Sequence, residues 1–527
     1  MELLGRSFIG WSNGAGGGKT FTAINPAAGL SIEPNYFSAS ASEVERAAEL
    51  AAQAFTSFSR TSGKERAAFL REIAKRLDGI VDELVIRVNQ EAGLAEPRIR
   101  SETARTSFQM RLFADLIEEG SWVRARLDKG DAERKPAKPD LRSMWRALGP
   151  VVVFGASNFP LAYSVAGGDT ASAFAAGNPV IVKAHPAHPG TSELVGAVIL
   201  AAARVCKMPE GIFSLLFDAG TEVGSALVKH PLVRAVGFTG SQRGGRALMN
   251  LAAARPAPIP VFAEMGSTNP VFILPGALAA RGEQIAEGLH GSVTLGAGQF
   301  CTKPGMVFLP AGEHAKNFSQ NLRKRIGESG SQVMLTPGIQ LAYSGMVGAR
   351  AKKSKVALSA EGKSAAGEAG VRGVPAMFAV EAVDFLREPE LSEEVFGPAT
   401  LVVSYGTREE MLKIARGLQG HLTATLHGTD EDLREYRELV EILEQKAGRL
   451  VFNGFPTGVE VGHAIVHGGP YPATSDGQST SVGSQAIYRF ARPVCFQNFP
   501  SAELPEELKD GNPMRIWRLK DGALTKD

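Results

Sequence analysis

The sequence predicts an α/β fold built on a doubly wound parallel sheet, and three observations carry the prediction. Short apolar runs of strand length alternate with stretches of helical period between residues 151 and 263. A second alternating region runs from 269 to 452. At 527 residues, with 44% apolar and 21% charged content, the chain is long enough for more than one core. Such alternation calls for parallel strands joined by right-handed crossovers, with helices on both faces.

Taken in order, the N-terminal stretch MELLGRSFIGWSNGAGGGKTF lacks the basic-then-apolar pattern of a secretory signal and reads as mature chain. Residues 41–57 and 64–92 carry apolar positions at helical spacing, and Ser42 is placed to cap the first turn. A further helix is expected at 101–118, which holds no internal Gly or Pro. Segment 122–148, with two prolines and many charges, is too polar for a core element and reads as a hairpin arm or a disordered linker. Strands follow at Val151–Phe154, Pro179–Val182, Ile212–Phe217, Val233–Phe238 and Ile259–Ala263, with helices at 160–176 and 190–205. The second region supplies strands at Asn269–Leu274, Met306–Leu309, Phe378–Val383, Leu401–Val403 and Leu450–Phe452. The Gly- and Ser-rich segment 453–486 is long for a loop, a length found in functional or disordered segments. A last strand, Pro493–Phe499, precedes a polar tail. The expected units are 1–121 with 149–265, then 266–483, an arm of 122–148 with 484–500, and a tail of 501–527.

A net charge of only +2 gives no broad field for nucleic acid, and no run of about 18 apolar residues offers a membrane span. The three cysteines, Cys206, Cys301 and Cys495, are odd in number and widely spaced. That pattern suits neither a disulfide framework nor a zinc site, so no metal and a reducing, cytoplasmic compartment are expected.

Four segments hold residues with chemical potential. GAGQFCTKPG, 296–305, sets Cys301 among glycines, where sulfur is free to approach a substrate, although a solitary cysteine is more often a small buried hydrophobe. VFAEMGSTNP, 261–270, ends an apolar strand with Glu264, a catalytic base or a solvated strand terminus. FGASNFP, 154–160, places Asn158 in a strand-to-helix turn, able to donate to an oxyanion or to cap backbone. Gly237-Phe-Thr-Gly-Ser-Gln-Arg-Gly-Gly245 leads into a helix whose N-terminus suits phosphate, though its spacing is not the dinucleotide fingerprint. The pair of Cys301 and Glu264 says more than either alone, because a thiol needs a base and an acyl-enzyme needs activated water.

Together these segments resemble the aldehyde dehydrogenase superfamily from about residue 20 to 500. GQFCT matches its nucleophile motif, AEMGSTNP the general-base motif, SNFPL the oxyanion motif and GFTGS the cofactor turn; PVIVKAHP matches the adenosine-ribose strand and EEVFGP the nicotinamide-ribose motif. The resemblance implies the aldehyde dehydrogenase fold: a cofactor-binding domain, an α/β catalytic domain and a small β arm that joins subunits into a homodimer or homotetramer. It implies Cys301 as nucleophile, Asn158 as oxyanion donor and Glu264 as the base for water. It also implies a cofactor site of Phe154, Lys183, His185, Pro186, Gly240, Ser241, Glu394 and Phe396, binding NADP, NAD or both.

Many NAD-preferring members carry Glu where this chain has Pro186, so the charge that repels a 2′-phosphate is absent and NADP is expected to be admitted. Within the superfamily the text is similar to the α-ketoglutaric semialdehyde dehydrogenases and to the NADP-dependent fatty aldehyde dehydrogenases. Arg105 and Gln109, one turn apart where the family lines its aldehyde tunnel, favour an acid semialdehyde over a fatty aldehyde. Phe159 and the segment from Gly454 to Val461 are further tunnel-wall candidates. Rival classes are a cofactor-free cysteine hydrolase, which leaves GFTGS, Lys183 and EEVFGP without a purpose, and a non-catalytic binding protein, which leaves Cys301 and Glu264 without one.

Overall fold

The computed structural model describes residues 2–364 and 367–527. Its first large sheet has seven strands, in the order Val261–Glu264, Ala235–Thr239, Val151–Phe154, Val180–Lys183, Phe213–Leu216, Phe8–Ile9 and Ser12–Asn13. The first five run parallel, and the two short N-terminal strands add antiparallel at one edge. Because side chains alternate across a strand, Val151, Val153, Val180 and Val182 pack into one core while Val152, Ile181 and Val236 pack into another on the opposite face. Both faces are thus buried, which is why these strands read as unbroken apolar runs.

The second sheet also has seven strands, in the order Ala357–Glu361, Ala376–Glu381, Ala399–Tyr405, Met306–Pro310, Val271–Ile273, His421–His427 and Ala447–Phe452. All are parallel except the first. A third sheet of five strands joins Ala491–Gln497, Leu141–Ala147, Arg126–Asp128, Arg518–Lys520 and Ala523–Thr525. Segment 122–148 therefore contributes strands, and the linker alternative falls away.

Several elements differ from expectation for local physical reasons. The first helix, Ala41–Phe58, is capped by Ser40 and not Ser42: Ser40 Oγ accepts from Glu43 N while the Glu43 carboxylate accepts from Ser40 N. The expected 64–92 helix divides at Ile80 into Gly63–Gly79 and Val81–Ala92, and the helix expected at 101–118 is longer, Glu96–Glu119. Only Gly168–Ala176 of the expected 160–176 helix forms. Its forward half folds into turns because the buried Glu102 carboxylate takes the Leu161 and Ala162 N–H groups at 3.0 Å each. The strand His421–His427 was not expected, since HLTATLH looks polar; both its faces are buried and Thr423 donates to Asn269. Segment 501–527 is no simple tail, since it completes the third sheet. Among the described residues, no helix is long and apolar enough to cross a membrane.

Candidate active site

The parallel register aligns Phe238 with Phe154, Phe154 with Lys183, and Thr239 with Glu264, so these strands end together at one rim. Beyond that rim lies a cleft of about 700 Å³ lined by residues of both large sheets and their loops. Of the residues expected at a cofactor, Phe154, Lys183, His185, Gly240, Ser241, Glu394 and Phe396 line it, and Pro186 does not. Cys301, Glu264 and Asn158 line it as well.

Lys183 is buried and its Nζ donates to Asp218 O at 2.7 Å; burial lowers its amine to about 8, so it remains largely charged at neutral pH. Burial, His188 and Lys183 hold the His185 imidazole well below the ordinary value, so it presents a neutral ring, with Nδ1 accepting from Ala187 N. Ser241 caps the helix Gln242–Ala253 by accepting from Gly244 N, which leaves that helix's first N–H groups turned to the rim beside the exposed Arg243. Glu394 accepts from the Ser267 backbone N–H, and burial raises its carboxyl to about 7 against the lowering effect of Lys303. A side chain on Gly266 would collide with that carboxylate, which explains a glycine two residues after Glu264.

The nucleophile loop is strained into place. Gly296, Ala297 and Gly298 all adopt positive φ, and any Cβ on Gly298 would strike the Gly397 carbonyl. Asn269, buried and itself left-handed, donates from Nδ2 to Cys301 O at 2.8 Å and Lys303 O at 3.0 Å. Lys303 Nζ then ties this loop to the Glu394 loop through Val395 O and Ala399 O. Asn158 Nδ2 donates to Gln299 O at 3.0 Å, and Asn158 lines the same cleft as Cys301. Among the described residues no acceptor takes the Cys301 backbone N–H.

The thiol does not face Glu264 alone. His467 Nε2 lies 3.5 Å from Cys301 Sγ and 3.0 Å from Glu264 Oε1, and Ser481 Oγ donates to Glu264 Oε2 at 2.7 Å. The three chemical groups sit within 4.8 Å of one another. They are close enough to take up a zinc-like cation, which would block a nucleophilic thiol rather than assist it. Burial first, then the Glu264 charge, push the Cys301 thiol well above its ordinary value. Burial would also raise Glu264, but His467, Ser481 and the thiol outweigh it and keep the carboxyl below its ordinary value.

His467 and Ser481 come from the Gly- and Ser-rich segment 453–486, which is ordered against Glu264 and escaped residue-by-residue reading. Asn269 also went unnoticed, although a polar residue between Thr268 and Pro270, just past the Glu264 strand, was the available clue.

Beside the thiol stands an aromatic wall. Phe159 meets Tyr163 at 5.1 Å and Phe300 at 5.5 Å, Tyr163 meets His467 at 6.2 Å, and the Arg98 guanidinium lies over the rings of Phe159 and Phe300. Arg105 reaches this wall, donating to Tyr163 Oη at 3.2 Å and to Val459 O at 2.6 Å, so it is not a solvated surface arginine. Gln109 is buried, with its amide beside Gly168 and near the Ser481 carbonyl.

A family model described as "Aldehyde dehydrogenase family" matches residues 11–470. The chain belongs to the aldehyde dehydrogenase family. It is 49% identical over 524 residues, 99% of each chain, to "Alpha-ketoglutaric semialdehyde dehydrogenase 2" of Azospirillum brasilense. It is 44% identical over the full length of both chains to the α-ketoglutaric semialdehyde dehydrogenase of Acinetobacter baylyi. In fold it is similar to the aldehyde dehydrogenase KauB from Pseudomonas aeruginosa, with a TM-score of 0.80 at 21% identity over 94% of this chain and 97% of that one. A 3,6-anhydro-L-galactose dehydrogenase in complex with NAP also matches, at a TM-score of 0.80 and 20% identity over 93% of this chain and 99% of that one. This aldehyde dehydrogenase is an NAD(P)-dependent oxidoreductase of aldehydes.

Proposed function

We propose that this aldehyde dehydrogenase oxidises α-ketoglutaric semialdehyde to α-ketoglutarate and accepts NADP. One observation carries the chemistry: a thiol, a carboxylate and an imidazole converge within 4.8 Å at the inner end of a cleft that has a cation and a helix N-terminus at its rim. The two relatives named for the semialdehyde support the substrate, and Arg105 beside the aromatic wall supports its carboxylate.

The fit of the cofactor rests on the donors along the cleft. Lys183 and the N-terminus of Gln242–Ala253 suit the phosphates, with Arg243 as an exposed cation for a 2′-phosphate, and Glu394 suits a ribose. When bound, NAD(P)+ supplies an acceptor for the aldehyde hydride. Cys301 Sγ gives its proton to the Glu264 carboxylate and bonds to the carbonyl carbon, while the C=O π pair moves to oxygen, and Glu264 releases that proton to solvent before the hydrolytic step. Asn158 Nδ2 and the Cys301 N–H hold that oxyanion. After oxidation the carbon is a thioester; Glu264 then takes a proton from water, the water oxygen bonds to the acyl carbon, and the C–S bond breaks to return the thiolate. His467 and Ser481 orient the Glu264 carboxylate through both of its oxygens. We also assign subunit contact in a homodimer or homotetramer to the outer strand Ala491–Gln497.

Absorbance of the reduced nicotinamide tests the reading with α-ketoglutaric semialdehyde, a long-chain aldehyde, NAD and NADP in all pairings. The expected result is fastest turnover of the semialdehyde, with NADP used. Preference for the long-chain aldehyde overturns the substrate, and silence in every pairing overturns the chemistry.

A further inference from the structure

Arg449 is a charged residue in the middle of AGRLVF, the edge strand Ala447–Phe452 of the second sheet. Its guanidinium donates to Pro456 O at 2.6 Å and to Gly458 O at 3.1 and 3.2 Å. Arg105, from the helix Glu96–Glu119, donates to Val459 O of the same loop. Two arginines from distant parts of the chain therefore bracket residues 456–459, each through neutral carbonyl oxygens. Neither meets a carboxylate within ion-pair distance among the described residues, and the Nε–H of each is buried without an acceptor.

Both arginines are half-buried, so a carboxylate arriving there would exchange neutral acceptors for a charged one rather than rescue a stranded charge. A guanidinium removed from water is stabilised far better by a carboxylate than by a carbonyl, and a charge-assisted fork is about twice as strong as a neutral bond. Burial already lowers Arg449, while the nearby Cys301 and Tyr163 raise it, which places this cation in the electrostatic field of the thiol. Arg105 reaches the thiol by contact: it bonds Tyr163 Oη, Tyr163 packs on His467, and His467 lies 3.5 Å from Cys301 Sγ. The two unneutralised charges stand on the aromatic-wall side of the sulfur, apart from the cleft residues assigned above to the cofactor.

We propose that Arg449 and Arg105 together receive the carboxylate at the far end of the aldehyde substrate, which replaces carbonyls of the 456–459 loop as their acceptor. The inference rests on the acid-semialdehyde reading and adds a second specificity residue to it. An uncharged aldehyde leaves both guanidiniums on the loop and gains nothing from them. Selectivity for an acidic aldehyde then comes from two cations that lack a carboxylate of their own.

The test compares kcat/KM for α-ketoglutaric semialdehyde and for pentanal in the full-length enzyme and in Arg449→Gln, Arg449→Lys and Arg449→Met. Arg449→Gln keeps a donor for the loop while removing the charge, so it separates the two roles. The ratio of semialdehyde to pentanal efficiency is expected to fall about 10- to 100-fold in Arg449→Gln and Arg449→Met, through KM, and by less in Arg449→Lys. Competitive inhibition of pentanal oxidation by 2-oxoglutarate should weaken in parallel. Equal losses on both aldehydes, with inhibition intact, would overturn the proposal and leave Arg449 as a loop brace. If the unaltered enzyme ignores the semialdehyde, the functional reading fails instead, and the 2-oxoglutarate arm still decides whether the arginines bind a carboxylate.

Discussion

Burial and the Glu264 charge both push the Cys301 thiol upward, so at neutral pH the sulfur keeps its proton until it is passed to Glu264. The sign gives a prediction. In Glu264→Gln the repelling charge is gone, so the pH midpoint for alkylation of Cys301 by iodoacetamide should move down, toward the ordinary thiol range. Steady-state oxidation should at the same time fall by about 10²- to 10⁴-fold, the usual worth of a positioned base. A midpoint that stays put or rises would show that Glu264 does not hold the thiol in its protonated form. Cys301, Glu264 and Asn158 were legible through the resemblance of GQFCT, AEMGSTNP and SNFPL to family motifs, since composition alone favoured a buried thiol, a solvated strand end and a capping amide. His467 and Ser481 were not, because they reach Glu264 from 203 and 217 residues away, and nothing local in 453–486 marks one polar residue above another.

At the scale of elements, the strands were legible wherever both faces are apolar, and lost where polar side chains are satisfied inside. Thr423 in His421–His427 is such a case: its hydroxyl bonds Asn269, so a polar pattern hides a buried strand. The failed helix at 160–167 has a similar origin, since its N–H groups are claimed by Glu102 from another element. Asn269 joins these effects, because it links the strand beginning at Val271, the nucleophile loop and His421–His427. Asn269→Ala leaves the Cys301 and Lys303 carbonyls short of a donor and puts Ala at a left-handed position. A loss of about 2 to 4 kcal/mol is expected, read as a lower urea midpoint. A midpoint unchanged within error would mean that the loop holds its shape without this residue.

For the whole molecule, the two large sheets were readable from alternation except for Phe8–Ile9, Ser12–Asn13, Ala357–Glu361 and His421–His427; of the third, the arm 122–148 and the last strand were expected, but not the strands at 518 to 525. Its outer strand, Ala491–Gln497, is paired on one side only, and Cys495 and Phe499 are exposed along it. If that edge joins subunits, Cys495→Glu combined with Phe499→Glu should lower the mass seen by light scattering by at least one assembly step. An unchanged mass would place the contact elsewhere.

The third sheet also sets a schedule for synthesis. Lys129 N bonds the Asp521 carboxylate across 392 residues, and Arg126–Asp128 pairs directly with Arg518–Lys520. At ordinary ribosomal speeds of ~5–20 residues per second, the interval between making those two strands is roughly 20 to 80 s. Throughout it, Arg126–Asp128 keeps one unpaired edge on the nascent chain while both large sheets emerge. The small sheet is therefore a late-closing clasp, and the period before it closes is when the growing polypeptide is most exposed to premature pairing with a neighbour on the same polysome.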